Sequence, residues 1–301
     1  MPLKNSDLPS IEEARNYLSG FCQEGCESWQ QENEQYLQAH AHRFHETLAA
    51  LPPGKPGDRL LELGATPYFM SLLLERYSNY DVMLANGVAA NRAEQSTFQL
   101  IKSNPPEEHT FSDEKFNVEI DRFPYADDSF NLVLCSELIE HLALDPTHML
   151  LEIHRVLVPG GKVMITTPNV LVLRNIVSLL KHQRNIYYPY SAYGVYGRHN
   201  REWTLQELVQ LVSGCGFVIE TAEVVDTYRH RGYSKLLKRF FPFVRDMLVV
   251  VGRAEGMPIE YYPSELYESY PKQYCSENPI PSRLQKKRAK ALLPKEEKHP
   301  V

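Results

Sequence analysis

No apolar run in this chain reaches the ~20 residues that span a bilayer; the longest, around NVLVLRNIVSLL and DMLVVVG, stop well short. The first residues, MPLKNSDLPSIEEARNYL, carry charges where a secretory signal needs its apolar stretch. Cysteine is scarce, with 5 in 301 residues, which excludes a disulfide-built scaffold and makes reduced thiols the expectation. An excess of positive charge is lacking too: 32 Lys and Arg against 38 Asp and Glu leave −6, so no global field draws the chain to nucleic acid. Nor is there a G-x-G-x-x-G loop followed by an acid about 20 residues later, which removes the dinucleotide oxidoreductases. These absences predict a soluble, cytoplasmic globular protein.

What is present is ordinary globular material, 43% hydrophobic and 23% charged. Residues 8–50 read as helices, with Ser10 and Glu13 spaced as a capping box. PPGKPGD then breaks the chain and launches the apolar run RLLELG. Beyond it, strands are predicted at Arg59–Leu63, Asp81–Ala85, Phe116–Ile120, Asn131–Cys135, Lys162–Thr167, Val218–Val225 and Met247–Val251. Helices are predicted at 68–77, 88–102, 137–142, 146–157, 169–182 and 204–214. This βαβ alternation argues for an α/β fold with a mostly parallel, seven-stranded sheet and helices on both faces. The organisation expected is a helical N-terminal extension or lid (1–54), a single α/β domain (55–254) and an extended segment (255–301) ending in a basic, disordered tail. A second basic stretch, RHRGYSKLLKRFFPFVR, mixes cations with aromatics and leucines. It reads either as a link between the last two strands or as a peripheral contact for a membrane or an anionic substrate.

In open α/β sheets, ligands bind outside the carboxyl ends of the strands, where glycine lets the backbone come close. LLELGATPYF sits at such a place, although Gly64 is all that remains of a Gly-x-Gly-x-Gly pattern. RFPYADDSFNLVLCSELIEHL followed by EIHRVLVPGGKVMITTPN closely resembles the class I S-adenosylmethionine-dependent methyltransferases, over roughly residues 55–225. The resemblance implies a Rossmann-like fold and S-adenosylmethionine as cofactor. It also implies roles by position. Glu62 and Gly64 would hold the methionine part, Asn86 would meet the ribose hydroxyls, Glu119 would meet the adenine amine, and Ser136 would lie beside the cofactor. Asn86 stands where an acid is usual; an amide still hydrogen-bonds a diol but adds no charge. Restoring the acid there is expected to preserve or tighten cofactor binding.

Next comes Glu137-Leu-Ile-Glu140-His141. On a helix these positions share a face, and two carboxylates beside an imidazole repel unless a cation joins them. A divalent metal is one reason for the pattern; a pocket-shaping Glu-His pair is the other. Downstream lies His199-Asn-Arg-Glu202-Trp203-Thr204. The two segments together resemble the metal-dependent small-RNA 3′-end 2′-O-methyltransferases, and the first alone resembles ubiquinone-biosynthesis O-methyltransferases. The former resemblance implies that Glu137, Glu140, His141 and His199 ligate a divalent ion holding a ribose diol. It implies, too, an O-methyl transfer in which His141 or His199 takes the hydroxyl proton. Two carboxylates and two imidazoles suit Mn, Fe, Co or Zn at least as well as Mg.

Cys22-x₃-Cys26 with His40, His42 and His45 loosely suggests a zinc site, but solvated helix faces explain them better. The tyrosine-rich segment 185–200 is either a lid over the substrate, suited to stacking on sugars, or simple packing. It is similar, with TPNVLVLRN, to bacterial methyltransferases of polysaccharide assembly. The expected acceptor is therefore a vicinal diol in a sugar, glycoside or related small molecule. RNA ribose is the alternative substrate, and a non-catalytic cofactor-binding partner subunit is the alternative role.

Overall fold

In the computed structural model of the chain, the residues described here are 8–87, 94–103, 105–182, 190–191, 194–228, 233–255 and 266–267. Among them, nine strands form one sheet: β1 (Cys22–Gln23), β2 (Arg59–Leu63), β3 (Asp81–Asn86), β4 (Glu94–Ser103), β5 (Pro106–Lys115), β6 (Phe130–Ser136), β7 (Leu157–Pro168), β8 (Phe217–Val225) and β9 (Met247–Ala254). Their order is β1-β4-β5-β3-β2-β6-β7-β9-β8. The run from β5 to β8 is the expected seven-stranded sheet. Strands β5, β3, β2, β6 and β7 are parallel neighbours, and β9 enters antiparallel between β7 and β8. Strands β4 and β1 extend one edge antiparallel.

Among the described residues there are seven α-helices: α1 (Ile11–Leu18), α2 (Gln30–Ala49), α3 (Phe69–Tyr77), α4 (Thr147–Val156), α5 (Leu173–Leu180), α6 (Leu205–Gly214) and α7 (Tyr233–Phe240). The Ser10–Glu13 capping box opens α1 as expected. Central strands are apolar on both sides because both faces are covered. Leu60, Leu132 and Leu134 meet α1, α2 and α3 on one face. Leu61, Val133 and Cys135 meet α4 and α6 on the other.

Three expectations are corrected. Residues 94–102, expected as helix, are strand β4, paired without a break from Glu94 opposite Lys115 to Ser103 opposite Pro106. Its partner β5 alternates exposed and covered side chains, and the period of two prevails over the helical reading. Phe116–Ile120, expected as the third strand, is a turn: Asn117 Oδ1 accepts from Glu119 N at 2.9 Å, and Asp121 Oδ2 accepts from Asn117 N at 2.7 Å. Phe116 and Val118 are buried by that turn rather than by a ladder, so β5 takes the third strand's place. Residues 137–142, expected as helix, hold only a single 3₁₀ turn at Ile139–His141. The basic tail lies outside the described residues.

Candidate active site

The parallel strands end together along one rim, and the sequence-predicted residues gather there. At the end of β2, Glu62 is 2% exposed and accepts from Ser71 Oγ at 2.6 Å. Burial pushes its carboxyl up to about 8, so at neutral pH it is largely protonated. Gly64 has φ +76, a left-handed conformation that a side chain would strain, and its N–H donates to Ala85 O at 2.8 Å. Asn86, at the end of β3, is bound on both sides of its amide. Its Oδ1 accepts from Thr66 N at 3.0 Å and Thr66 Oγ1 at 3.1 Å, while its Nδ2 donates to Asp113 Oδ2 at 2.7 Å and Tyr68 OH at 3.3 Å. Asn86 thereby ties the degenerate glycine loop to β5. Sequence reasoning missed Asp113, because no strand was predicted over Pro106–Lys115, the segment that carries it. Glu119 is buried, and one of its oxygens accepts from Leu144 N while Oε2 has no partner. Ser136, at the end of β6, shares a hydrogen bond of 2.9 Å with Thr166 Oγ1.

The turn after β6 begins with Glu137 at φ +52, which turns it away from a helical course. One ligand atom from each of Glu140, His141 and His199 lies within 4.8 Å of the others; Glu137 stands outside that group. Its Oε2 instead accepts from Arg43 Nη1 at 3.0 Å, across from α2. Arg43 also donates to Tyr36 OH at 2.6 Å. Burial raises the Glu137 carboxyl even with that cation beside it. His40, one turn from Arg43 on the same helix, is pushed down to about 4 by burial and by the guanidinium, so it is neutral. Sequence reasoning missed Arg43; a lone arginine in a glutamine-rich helix gives no signal of where the helix docks.

Glu140 is fully buried. Its Oε2 accepts from Thr167 Oγ1 at 2.9 Å, and its Oε1 is buried without a hydrogen-bond partner. Burial and the neighbouring Glu137 raise its carboxyl well above the ordinary range. His141 Nδ1 bonds Arg198 O at 3.0 Å, which requires the proton on Nδ1 and makes Nε2 the basic nitrogen, 4.0 Å from Glu140 Oε1. His199 Nδ1 bonds Glu202 Oε1 at 3.0 Å, with the same consequence for its ring. The two rings meet edge to face with centroids 4.9 Å apart. Burial and the His199 imidazole lower the His141 basicity. A carboxylate oxygen left bare, beside two imidazoles each oriented by an oxygen acceptor at Nδ1, is a donor set that could hold a divalent metal. These residues fit such an ion.

The His-x-x-Glu-Trp-Thr segment owes its place to the rest of its residues. Trp203 is 3% exposed in the core, and Val170 N donates to its carbonyl at 3.1 Å. Thr204 caps α6 through a capping box with Glu207. Asn200, which sequence reasoning passed over, clamps the two halves of the site: its N–H donates to Glu140 O at 2.7 Å and its Nδ2 to His141 O at 2.8 Å. Of the tyrosine-rich segment, Tyr190 and Tyr196 are described; Tyr190 is exposed under the Arg198 guanidinium, and the Tyr196 OH accepts from Asn117 Nδ2 at 3.3 Å beside Glu119. Tyr187, Tyr188 and Tyr193 lie outside the described residues.

The sequence that builds most of this sheet and its turns is matched by a family model. The methyltransferase-domain model aligns with residues 31–222. The chain belongs to that methyltransferase family. Its fold is that of the class I S-adenosylmethionine-dependent members. No curated protein sequence matches it significantly. Among solved structures, a chain from a Haloferax volcanii complex of the Trm112 activator and a methyltransferase is 17% identical at TM-score 0.50, covering 76% of this chain and 97% of that one. A Thermotoga maritima S-adenosylmethionine-dependent methyltransferase is 16% identical at TM-score 0.46, covering 75% and 95%. Phosphoethanolamine N-methyltransferase 2 from Haemonchus contortus, solved with S-adenosyl-L-methionine, is 14% identical at TM-score 0.41, covering 71% and 52%. Among the described residues no helix is long and apolar enough to cross a membrane.

Proposed function

We propose that this methyltransferase transfers the methyl group of S-adenosylmethionine to a hydroxyl of a vicinal diol, in a sugar, glycoside or related small molecule, with the help of a divalent metal. One observation carries the reading: the bare, buried Glu140 Oε1 faces two histidines whose Nδ1 atoms are already committed. Glu140, His141 and His199 would hold the ion, and Glu137 would join them only by leaving Arg43. When bound, the ion supplies Lewis acidity that lowers the pKa of a hydroxyl and fixes its direction. A diol offers such a site two adjacent oxygens, which a lone alcohol does not.

The chain's own residues perform the remaining work. Glu62, Gly64, Asn86, Glu119 and Ser136 line the rim where the cofactor is expected. Glu119 Oε2, buried and without a partner, suits the adenine amine as donor. Asn86 acts there chiefly by shaping the loop, since its amide is engaged by Thr66, Tyr68 and Asp113. Either His141 or His199 would receive the hydroxyl proton at Nε2 if that nitrogen is not a ligand. Tyr196, on the segment that carries His199, closes the site beside Glu119.

Elemental analysis of the purified protein, with turnover measured on diol and mono-ol acceptors before and after chelation, tests the reading. Metal at one equivalent per chain, and activity lost to chelator and restored by metal, is the expected result. Glu140→Ala and His199→Ala should each abolish turnover while cofactor affinity stays within about threefold. Undiminished activity in chelator would overturn the metal; equal turnover of mono-ols would overturn the diol.

A further inference from the structure

Helix α7 is built inside out. Among its described side chains the buried one is Lys238, whose Nζ lies 2.8 Å from both Asp226 Oδ1 and Asp246 Oδ1. Its apolar residues point the other way: Leu236 is 52% exposed and Phe240 68%. The chain continues through Phe241 and Phe243, about half exposed each. An ordinary surface helix does the reverse. Helix α5 repeats the anomaly. Its sequence is LRNIVSLL, yet none of its residues is buried, and Leu180 is 76% exposed.

The two features adjoin. Asn169, four residues before α5, donates from Nδ2 to Phe243 O and Arg245 O, both at 2.8 Å. Both features sit on the rim that carries the candidate active site, since Pro168 at the end of β7 pairs with Met247 at the start of β9. Charge over this surface has one sign. Residues 169–201 and 227–245 contain no acidic residue, whereas Arg174, Lys181 and Arg239 stand exposed among the apolar side chains. The acids that border it are engaged: Asp226 and Asp246 by Lys238, and Glu202, beside Asn175 of α5, by His199.

We propose that α7 with Phe240–Phe243, together with the exposed face of α5, forms a docking surface for an anionic lipid bilayer. The phenylalanines and leucines would enter the acyl boundary, and the cations would meet the headgroups. Charge selects this occupant over another protein: a cationic, acid-free rim around protruding aromatics complements an anionic sheet of headgroups. The chain's net charge of −6 opposes such docking in general, so attraction must come from this face. Docking there would present the active site to hydroxyls displayed at the membrane, a consequence that rests on the methyl-transfer reading while the docking itself does not.

Co-sedimentation of the full chain with vesicles decides the matter, using phosphatidylcholine alone and phosphatidylcholine with about one-third phosphatidylserine. Binding to the anionic vesicles, weakening as salt rises, is expected. Phe240→Ala with Phe241→Ala and Phe243→Ala should reduce it at least tenfold, and Arg239→Glu severalfold. Thermal unfolding and S-adenosylmethionine affinity of both variants should match the parent, which separates lost docking from lost folding. Equal binding to neutral and anionic vesicles, no binding at all, or unaltered binding by the triple variant each overturns the proposal. So does a self-associated protein that the triple variant converts to monomer, which would assign the surface to a second copy. Loss of methyl transfer in solution with vesicle binding intact would fault the functional reading alone.

Discussion

Arg43 links the N-terminal helices to the catalytic rim. With Glu137 it forms an ion pair whose side chains are 14% and 12% exposed. Removing one partner from a buried pair leaves an uncompensated charge, so Arg43→Ala should cost about 3 kcal/mol in denaturant unfolding. Glu62 gives a second residue-scale prediction. Its carboxyl is pushed up to about 8 by burial, above the value of an unfolded chain. Between about pH 4.5 and 8 the folded form holds a proton that the unfolded form has lost. Stability therefore falls as pH rises through that window, by on the order of 4 kcal/mol, and Glu62→Gln should flatten the slope in unfolding curves at pH 5 and pH 8. Asn86 reverses an expectation. An acid there would preserve or tighten cofactor binding on the family pattern, but the amide nitrogen donates to Asp113 at 2.7 Å. Asn86→Asp would set two carboxylates in contact and lose a hydrogen bond to a charge. The expected outcome is about 2 kcal/mol of lost stability and weaker, not tighter, cofactor binding by titration calorimetry.

At the scale of elements, the segment from His199 to Thr204 divides its labour. His199 and Glu202 face the site, Trp203 anchors the segment in the core, and Thr204 starts α6. Trp203→Ala should cost about 3–5 kcal/mol and, on the proposed metal reading, weaken metal binding as well, because His199 loses its footing. Thr204→Ala should cost about 1 kcal/mol and leave turnover nearly intact. Unfolding midpoints together with metal titration distinguish the two. The pattern of residues was legible here, while the division of roles was not. The turn after β6 shows the opposite limit. Spacing suggested a helix that would align Glu137, Glu140 and His141. The left-handed Glu137 and a 3₁₀ turn instead send Glu137 to Arg43. Likewise, the β4–β5 hairpin was unreadable as strand because its short polar runs carry little apolar signal; pairing with each other and with β3 stabilises them.

Across the whole molecule, the N-terminal helices cover one face of the sheet. Leu37, Phe44 and Leu48 of α2 belong to the same core as Leu60, Leu72 and Leu132. Deleting residues 1–50 should therefore leave an insoluble chain without a cooperative thermal transition by circular dichroism, rather than a folded domain lacking a lid. The charge balance also has a spatial meaning that a sum of −6 conceals. Two acids, Glu137 and Glu140, lie in the site, while the exposed cations Arg174, Lys181 and Arg239 of the rim belong to stretches of sequence without acids.

The sequence alone determined the strand-and-helix alternation of the central sheet, the glycine turn after β2, and the candidates Glu140, His141 and His199. The first two follow from local periodicity and from residue type at a fixed spacing; the candidates follow from the resemblance of two segments to a known family. Only the tertiary structure decided that Glu137 pairs with Arg43, that Asn86 serves Asp113, and that α7 turns a lysine inward and Leu236 and Phe240 outward. Those outcomes depend on which surfaces meet across tens of residues, and no local propensity encodes such contacts.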